Sequence, residues 1–134
     1  MCPRSATKSD CQASIYIIHL CIYMMHSSEL LKGTLQTILL KVLKDKGKMY
    51  GYEITQRVKN LSDGRLLLTE GALYPALHKL EAEGLLKTET VMIGKRIRKY
   101  YSLTAQGRSM TKDRVIEFID FIRTMSHVLQ VEMT

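Results

Sequence analysis

The chain has 134 residues, 46% of them hydrophobic and 25% charged, with a formal net charge of +7 from 20 basic and 13 acidic side chains. That length suits one compact domain and is short for two, and no repeat, low-complexity tract or Gly/Ser-rich linker divides it. A basic surface attracts phosphate through counterion release and attracts anionic membranes as well, so the charge points to polyanionic partners without choosing among them.

Residues 1–27 carry only Arg4, Lys8 and Asp10 as charged side chains, so the basic excess belongs to residues 28–134. Cys2, Cys11 and Cys21 all lie in this first stretch. An odd number of cysteines at one end makes a poor disulfide framework, and their absence from the body suits a reducing cytoplasm. Residues 15–25 are mostly apolar but too few to span a bilayer, and no small-residue cleavage motif follows them. The preferred reading of 1–27 is an over-extended start, with translation beginning at Met24 or Met25, or a disordered extension. The other is a segment that packs on the domain. Cys11, His19, Cys21 and His26 have spacings that match no closed zinc site, so no metal is expected.

From Leu30 the apolar pattern becomes helical: Leu31, Leu35, Ile38, Leu39 and Val42 fall on one face. Ser27 or Ser28 can cap this helix, and Gly47 after Asp45 and Lys46 supplies its stop. A second helix is expected from Gly51, with Ile54, Val58 and Leu61 on its inner stripe, ended by the turn-forming Asn60 to Gly64. Leu66 to Leu68 reads as a brief strand. A third helix follows, capped by Thr69, with Glu70 favoured at its positive end. It buries Leu73, Leu77 and Leu80 and turns Gly71, Tyr74, His78 and Lys79 outward, while Pro75 is expected to bend it or loosen its first turn.

Residues 85–93 and 98–103 alternate as strands, joined by a hairpin tip at Gly94, Lys95, Arg96 and Ile97 whose basic run continues into Arg98 and Lys99. Three helices followed by a basic-tipped hairpin form a winged-helix arrangement. The expected fold is mainly α with a small β hairpin: a winged helix-turn-helix over residues 28–103, then a dimerisation helix over 104–134. In that last helix, capped by Thr104, Val115, Phe118, Ile122, Met125 and Leu129 alternate in threes and fours as a short seam. Ile116, Ile119 and Phe121 widen it beyond what one small domain covers, so a partner helix is expected.

Four runs carry a family resemblance: Leu30-Leu31-Lys32-Gly33-Thr34-Leu35, Tyr50-Gly51-Tyr52-Glu53-Ile54, Glu70-Gly71-Ala72-Leu73-Tyr74-Pro75-Ala76-Leu77-His78-Lys79-Leu80-Glu81 and Lys99-Tyr100-Tyr101-Ser102-Leu103-Thr104-Ala105-Gln106-Gly107-Arg108. In this order they resemble the PadR family of bacterial transcriptional regulators, in its short form with a single C-terminal helix. The resemblance implies a cytoplasmic homodimeric repressor on a palindromic double-stranded operator, relieved by a small aromatic or hydrophobic effector. Some family members sandwich the effector between tryptophans; this chain has none, so that pocket does not carry over.

The candidate DNA-binding residues are then Tyr52, Thr69, Gly71, Tyr74, His78, Lys79, Lys95, Arg96 and Arg98. Tyr74 could equally pack beside Pro75, and Tyr52 could belong to the core. The candidate dimer residues are Val115, Phe118, Ile119, Ile122, Met125 and Leu129. No catalytic constellation, cofactor motif or membrane span is expected: no cysteine in the body can pair with a histidine, and no Gly-rich phosphate loop occurs. The alternative function is a winged-helix module that binds protein without specific DNA binding.

Overall fold

The computed structural model describes residues 28–132, so the expectations for residues 1–27 lie outside the described residues. The elements in chain order are α1 (Ser28–Lys46), β1 (Met49–Tyr50), α2 (Gly51–Leu61), α3 (Glu70–Ala82), β2 (Leu86–Ile93), β3 (Arg96–Leu103) and α4 (Ala105–Val128). The three strands form one antiparallel sheet in the order β1-β3-β2.

Helix α1 is the hub, in contact with α2, α3, α4 and β3. Its buried arc is therefore wider than one amphipathic stripe: Leu40 and Leu43 are buried along with the expected Leu35, Leu39 and Val42. The core is completed by Ile54 and Val58 from α2, Leu73, Leu77 and Leu80 from α3, and Leu85, Leu86, Tyr101 and Leu103 from the sheet region. Each fully buried leucine contributes about 1.5–3 kcal/mol relative to exposure. Burial also raises the Tyr101 phenol above its ordinary pKa, with the Glu81 carboxylate and then Tyr74 adding to the effect.

Three expectations for residues 61–97 need correction. Leu61 is exposed, because α2 ends at that residue and the Ser62 hydroxyl turns the chain by donating to the Val58 carbonyl at 2.8 Å. Leu66 to Leu68 forms no strand; Leu66 and Leu68 rest on the core while Leu67 faces solvent. The third strand is instead Met49–Tyr50, which pairs Met49 with Tyr101 and Tyr50 with Tyr100. In the hairpin the ladder runs out to Ile93 opposite Arg96. The turn is thus only Gly94 and Lys95, with Gly94 at the positive φ of 62° that a tight hairpin turn demands of its first residue, and Arg96 and Ile97 belong to β3.

Pro75 lies inside α3, which continues unbroken through it to Ala82. Helix α4 is pinned to the body at its start. The Thr104 hydroxyl caps it by accepting from the Gly107 N–H at 3.0 Å and donates to the Gly84 carbonyl at 2.7 Å. Gly107 presses so closely on β2's approach that a Cβ there would overlap the Leu85 carbonyl oxygen. The helix ends at Val128, so Leu129 is its C-cap rather than a further turn of the seam, and the chain leaves through Gln130 at φ 56°.

Candidate nucleic-acid interface

Thr69 and Glu70 open α3 as the sequence suggests. The Thr69 hydroxyl accepts from the Ala72 N–H at 3.3 Å, and the Glu70 side chain sits in the first turn, where its charge suits the helix dipole. With Leu73, Leu77 and Leu80 buried, the opposite face of α3 presents Gly71, Tyr74 and His78 to solvent. Gly71 is informative: an added Cβ would meet nothing within 4 Å, and its φ is not positive. Glycine in a helix costs about 0.5–1 kcal/mol relative to alanine, and nothing inside the chain requires it here.

Tyr74 does not pack beside Pro75 alone. Its hydroxyl reaches α2, where a Cβ on Gly51 would come within 2.7 Å of it. The two helices of the helix-turn-helix are thus in contact where α2 begins. Tyr52, one residue into α2, is 64% exposed and not core, its ring roughly parallel to that of Tyr50 at 6.4 Å between centroids. Lys79 is exposed, but it faces another way from Tyr74, lining an open groove between α1 and α4.

The wing separates its basic residues by strand alternation. Lys95 occupies the turn and Arg96 is exposed next to it. Arg98 turns to the outer face of the sheet, its guanidinium carbon 4.5 Å from the centroid of the Tyr50 ring. Lys99 turns to the opposite face, over Tyr101 at 5.4 Å and 3.6 Å from the Glu81 carboxylate. Arg98 and Lys99 therefore cannot serve one contact.

The outer face also holds residues that sequence reasoning missed. Tyr50 meets Tyr100 edge-on at 5.6 Å, and Lys48 lies 5.0 Å from the Tyr100 centroid while pairing with Glu89 at 2.6 Å. Only the pairing of β1 with β3 brings these groups together, and a two-residue strand leaves no periodicity to read. The run Tyr50-Gly51-Tyr52 was the one available signal.

Residues 39–113 match the family of PadR-like transcriptional regulators, more than half of the chain. The chain belongs to this family. A transcriptional regulator of Mycobacterium tuberculosis is 40% identical over 68 residues, covering 50% of this chain and 61% of its own. A transcriptional regulator from Clostridium thermocellum superposes with a TM-score of 0.69 at 28% identity, covering 77% of this chain and 97% of that one. Bacillus subtilis PadR, solved in complex with operator DNA, superposes with a TM-score of 0.57 at 32% identity over 62% of this chain and 47% of that chain. PadR-like proteins are regulators of transcription and not enzymes, and the winged-helix fold of these neighbours is the fold described above. Among the described residues, no helix is long and apolar enough to cross a membrane and no group of His, Cys, Asp and Glu could hold a metal ion.

The candidate dimer residues run from the middle of α4 to its C-cap, Leu129. Val115, Phe118, Ile122 and Met125 are half-buried, whereas Ile119 and the neighbouring Ile116 and Phe121 are exposed. Phe118 and Phe121 line the groove against Gly33 and Thr37 of α1, with Arg114 and Lys79 at its wall; the groove encloses about 710 Å³. Arg114 donates to Gln36 at 3.0 Å and lies 3.6 Å from Glu83 just after α3.

Proposed function

We propose that this chain is a cytoplasmic, homodimeric, sequence-specific DNA-binding repressor that acts on a palindromic double-stranded operator. Residues 28–103 form the DNA-reading unit and residues 104–134 the dimerisation segment. The observation that carries this reading is the exposed face of α3 beside the basic wing: Gly71 has open space above it, Tyr74 and His78 flank it, and Lys95, Arg96 and Arg98 lie on the hairpin. An exposed helical glycine with no internal reason suits a backbone or base edge approaching α3 closely. In this reading Tyr52, Thr69, Tyr74 and the wing cations position the protein on phosphates, and His78 reaches a base edge, whereas Lys79 lies on the groove side of α3. That the Bacillus subtilis neighbour was solved in complex with operator DNA supports the DNA-binding part of this reading.

Dimerisation through Val115, Phe118, Ile119, Ile122, Met125 and Leu129 is supported by the apolar surface that α4 leaves uncovered. The groove against α1 has the size and mixed lining of a small-molecule site, which supports relief of repression by an aromatic or hydrophobic effector. One observation favours a second reading, a protein-interaction module: Met92 and Ile97, paired across the wing, are both largely exposed.

An anisotropy titration of the protein against DNA from upstream of its own gene, at two salt concentrations and with unrelated duplex as competitor, separates the two. Tight, competitor-resistant and salt-sensitive binding is the expected result; equal, weak binding to both duplexes would leave the protein-interaction reading. Arg96→Ala should weaken binding on every duplex alike and lower the slope of log K against log salt by about one, since a phosphate contact carries no base information. A loss confined to one operator variant would assign Arg96 to base reading instead.

A further inference from the structure

Three tyrosine rings of the sheet each carry a cation: Lys48 over Tyr100, Lys99 over Tyr101 and Arg98 over Tyr50. Two of these cations are already neutralised, Lys48 by Glu89 and Lys99 by Glu81. Arg98 has neither an ion pair nor a hydrogen bond from its side chain among the described residues, although it is half-buried. A half-buried arginine whose side-chain donors are unused, with its guanidinium carbon over an aromatic ring, is arranged for an anion supplied from outside.

Tyr50 is well placed to hold it. Its backbone is fixed twice: it pairs with Tyr100 in the sheet, and its N–H donates to the Glu53 carboxylate of α2 at 3.1 Å. Its ring is fixed by Tyr100 edge-on and by Tyr52 alongside. Tyr50 therefore joins the start of α2 to the wing, the two parts of a winged helix that flank the recognition helix.

We propose that Tyr50 is a positioning residue for DNA binding, which holds the Arg98 guanidinium against its ring so that Arg98 receives a backbone phosphate of the operator's flank. The inference rests on the DNA-binding reading above and adds to it a residue with no DNA contact of its own. Stacking restricts the rotamers of Arg98 before DNA arrives, so less conformational entropy is lost on contact.

The test uses the full chain and two probes, the duplex from upstream of its own gene and a mixed-sequence duplex, titrated across a salt series. Arg98→Ala should weaken binding to both and lower the salt slope by about one. Tyr50→Leu should weaken binding about three- to tenfold, whereas Tyr50→Phe, which keeps the ring, should match the parent. The Tyr50→Leu/Arg98→Ala pair should bind no more weakly than Arg98→Ala alone, because the ring then has nothing left to position. Arg98→Lys keeps the charge but loses the planar, multiply donating guanidinium, so it should lose affinity while retaining most of the slope; it also serves if Tyr50→Leu fails to fold. Additive losses in the pair, or parental affinity for Arg98→Lys, would overturn the positioning role while leaving DNA binding intact. Failure of the parent protein to bind either duplex would overturn the DNA-binding reading itself.

Discussion

The body of the domain and its terminal helix handle apolar surface in opposite ways. Helices α1, α2 and α3 together bury a closed set of large side chains: Leu39, Leu40, Ile54, Leu77 and Leu80 have no exposed surface. In α4 the buried residues are Gly107 and Thr111, both in the first turns, where Thr104 and Gly107 lock the helix to the end of α3. Beyond Arg114 no residue of α4 is fully buried, and Ile116, Ile119 and Phe121 face solvent. The body closes its own core, whereas the far half of α4 carries an apolar face that one chain leaves open. The proposed division of labour, DNA reading by the body and dimerisation by α4, rests on this contrast.

Core truncation should break the body most severely. Leu77→Ala removes a side chain with no exposed surface from α3 and should cost about 2–5 kcal/mol of unfolding free energy in a denaturant titration. A loss well under about 1 kcal/mol would mean that the body is not the closed unit described. A charge on α4 should produce a different signature. Ile119 is 44% exposed within one chain, so Ile119→Glu should leave the fold of the monomer nearly unchanged, yet it would bury an unpaired carboxylate in a dimer. Sedimentation velocity should then report monomers with an intact circular dichroism spectrum; an unchanged dimer would move the interface off this face.

The smallest expected effect is on alkaline stability. Tyr101 is buried in the body with its pKa raised, first by burial and then by Glu81 and Tyr74. Its neutral form is favoured by the fold, so its contribution is complete below the ordinary tyrosine pKa and is lost as pH rises through the raised folded value. Tyr101→Phe should therefore flatten the decline in unfolding free energy above about pH 10 relative to the parent. Parallel declines in both proteins would show that other groups govern the alkaline limb.

Much of this architecture was legible in order of chain position. Thr69 and Thr104 cap α3 and α4 as expected, Leu73, Leu77 and Leu80 are the buried stripe of α3, and the two long strands fall within a few residues of their expected bounds. The candidate site was legible in part: Tyr74 and His78 share the outward face of α3, but Lys79 lines the groove by α1 and α4. Tyr50 escaped notice because its partners Arg98 and Tyr100 are distant in sequence.

Local rules explain what the sequence by itself determined. A cap bonds a backbone group three residues away and a helical stripe repeats within one or two turns, so each is settled by neighbours along the chain. Tertiary structure alone decided the rest. A strand of two residues exists because β3 offers it a partner, Leu40 and Leu43 are buried because α1 is surrounded by other elements, and Arg98 rests on Tyr50 because the β1–β3 register sets them together. Each depends on contacts between residues far apart in the chain, which no window of sequence contains.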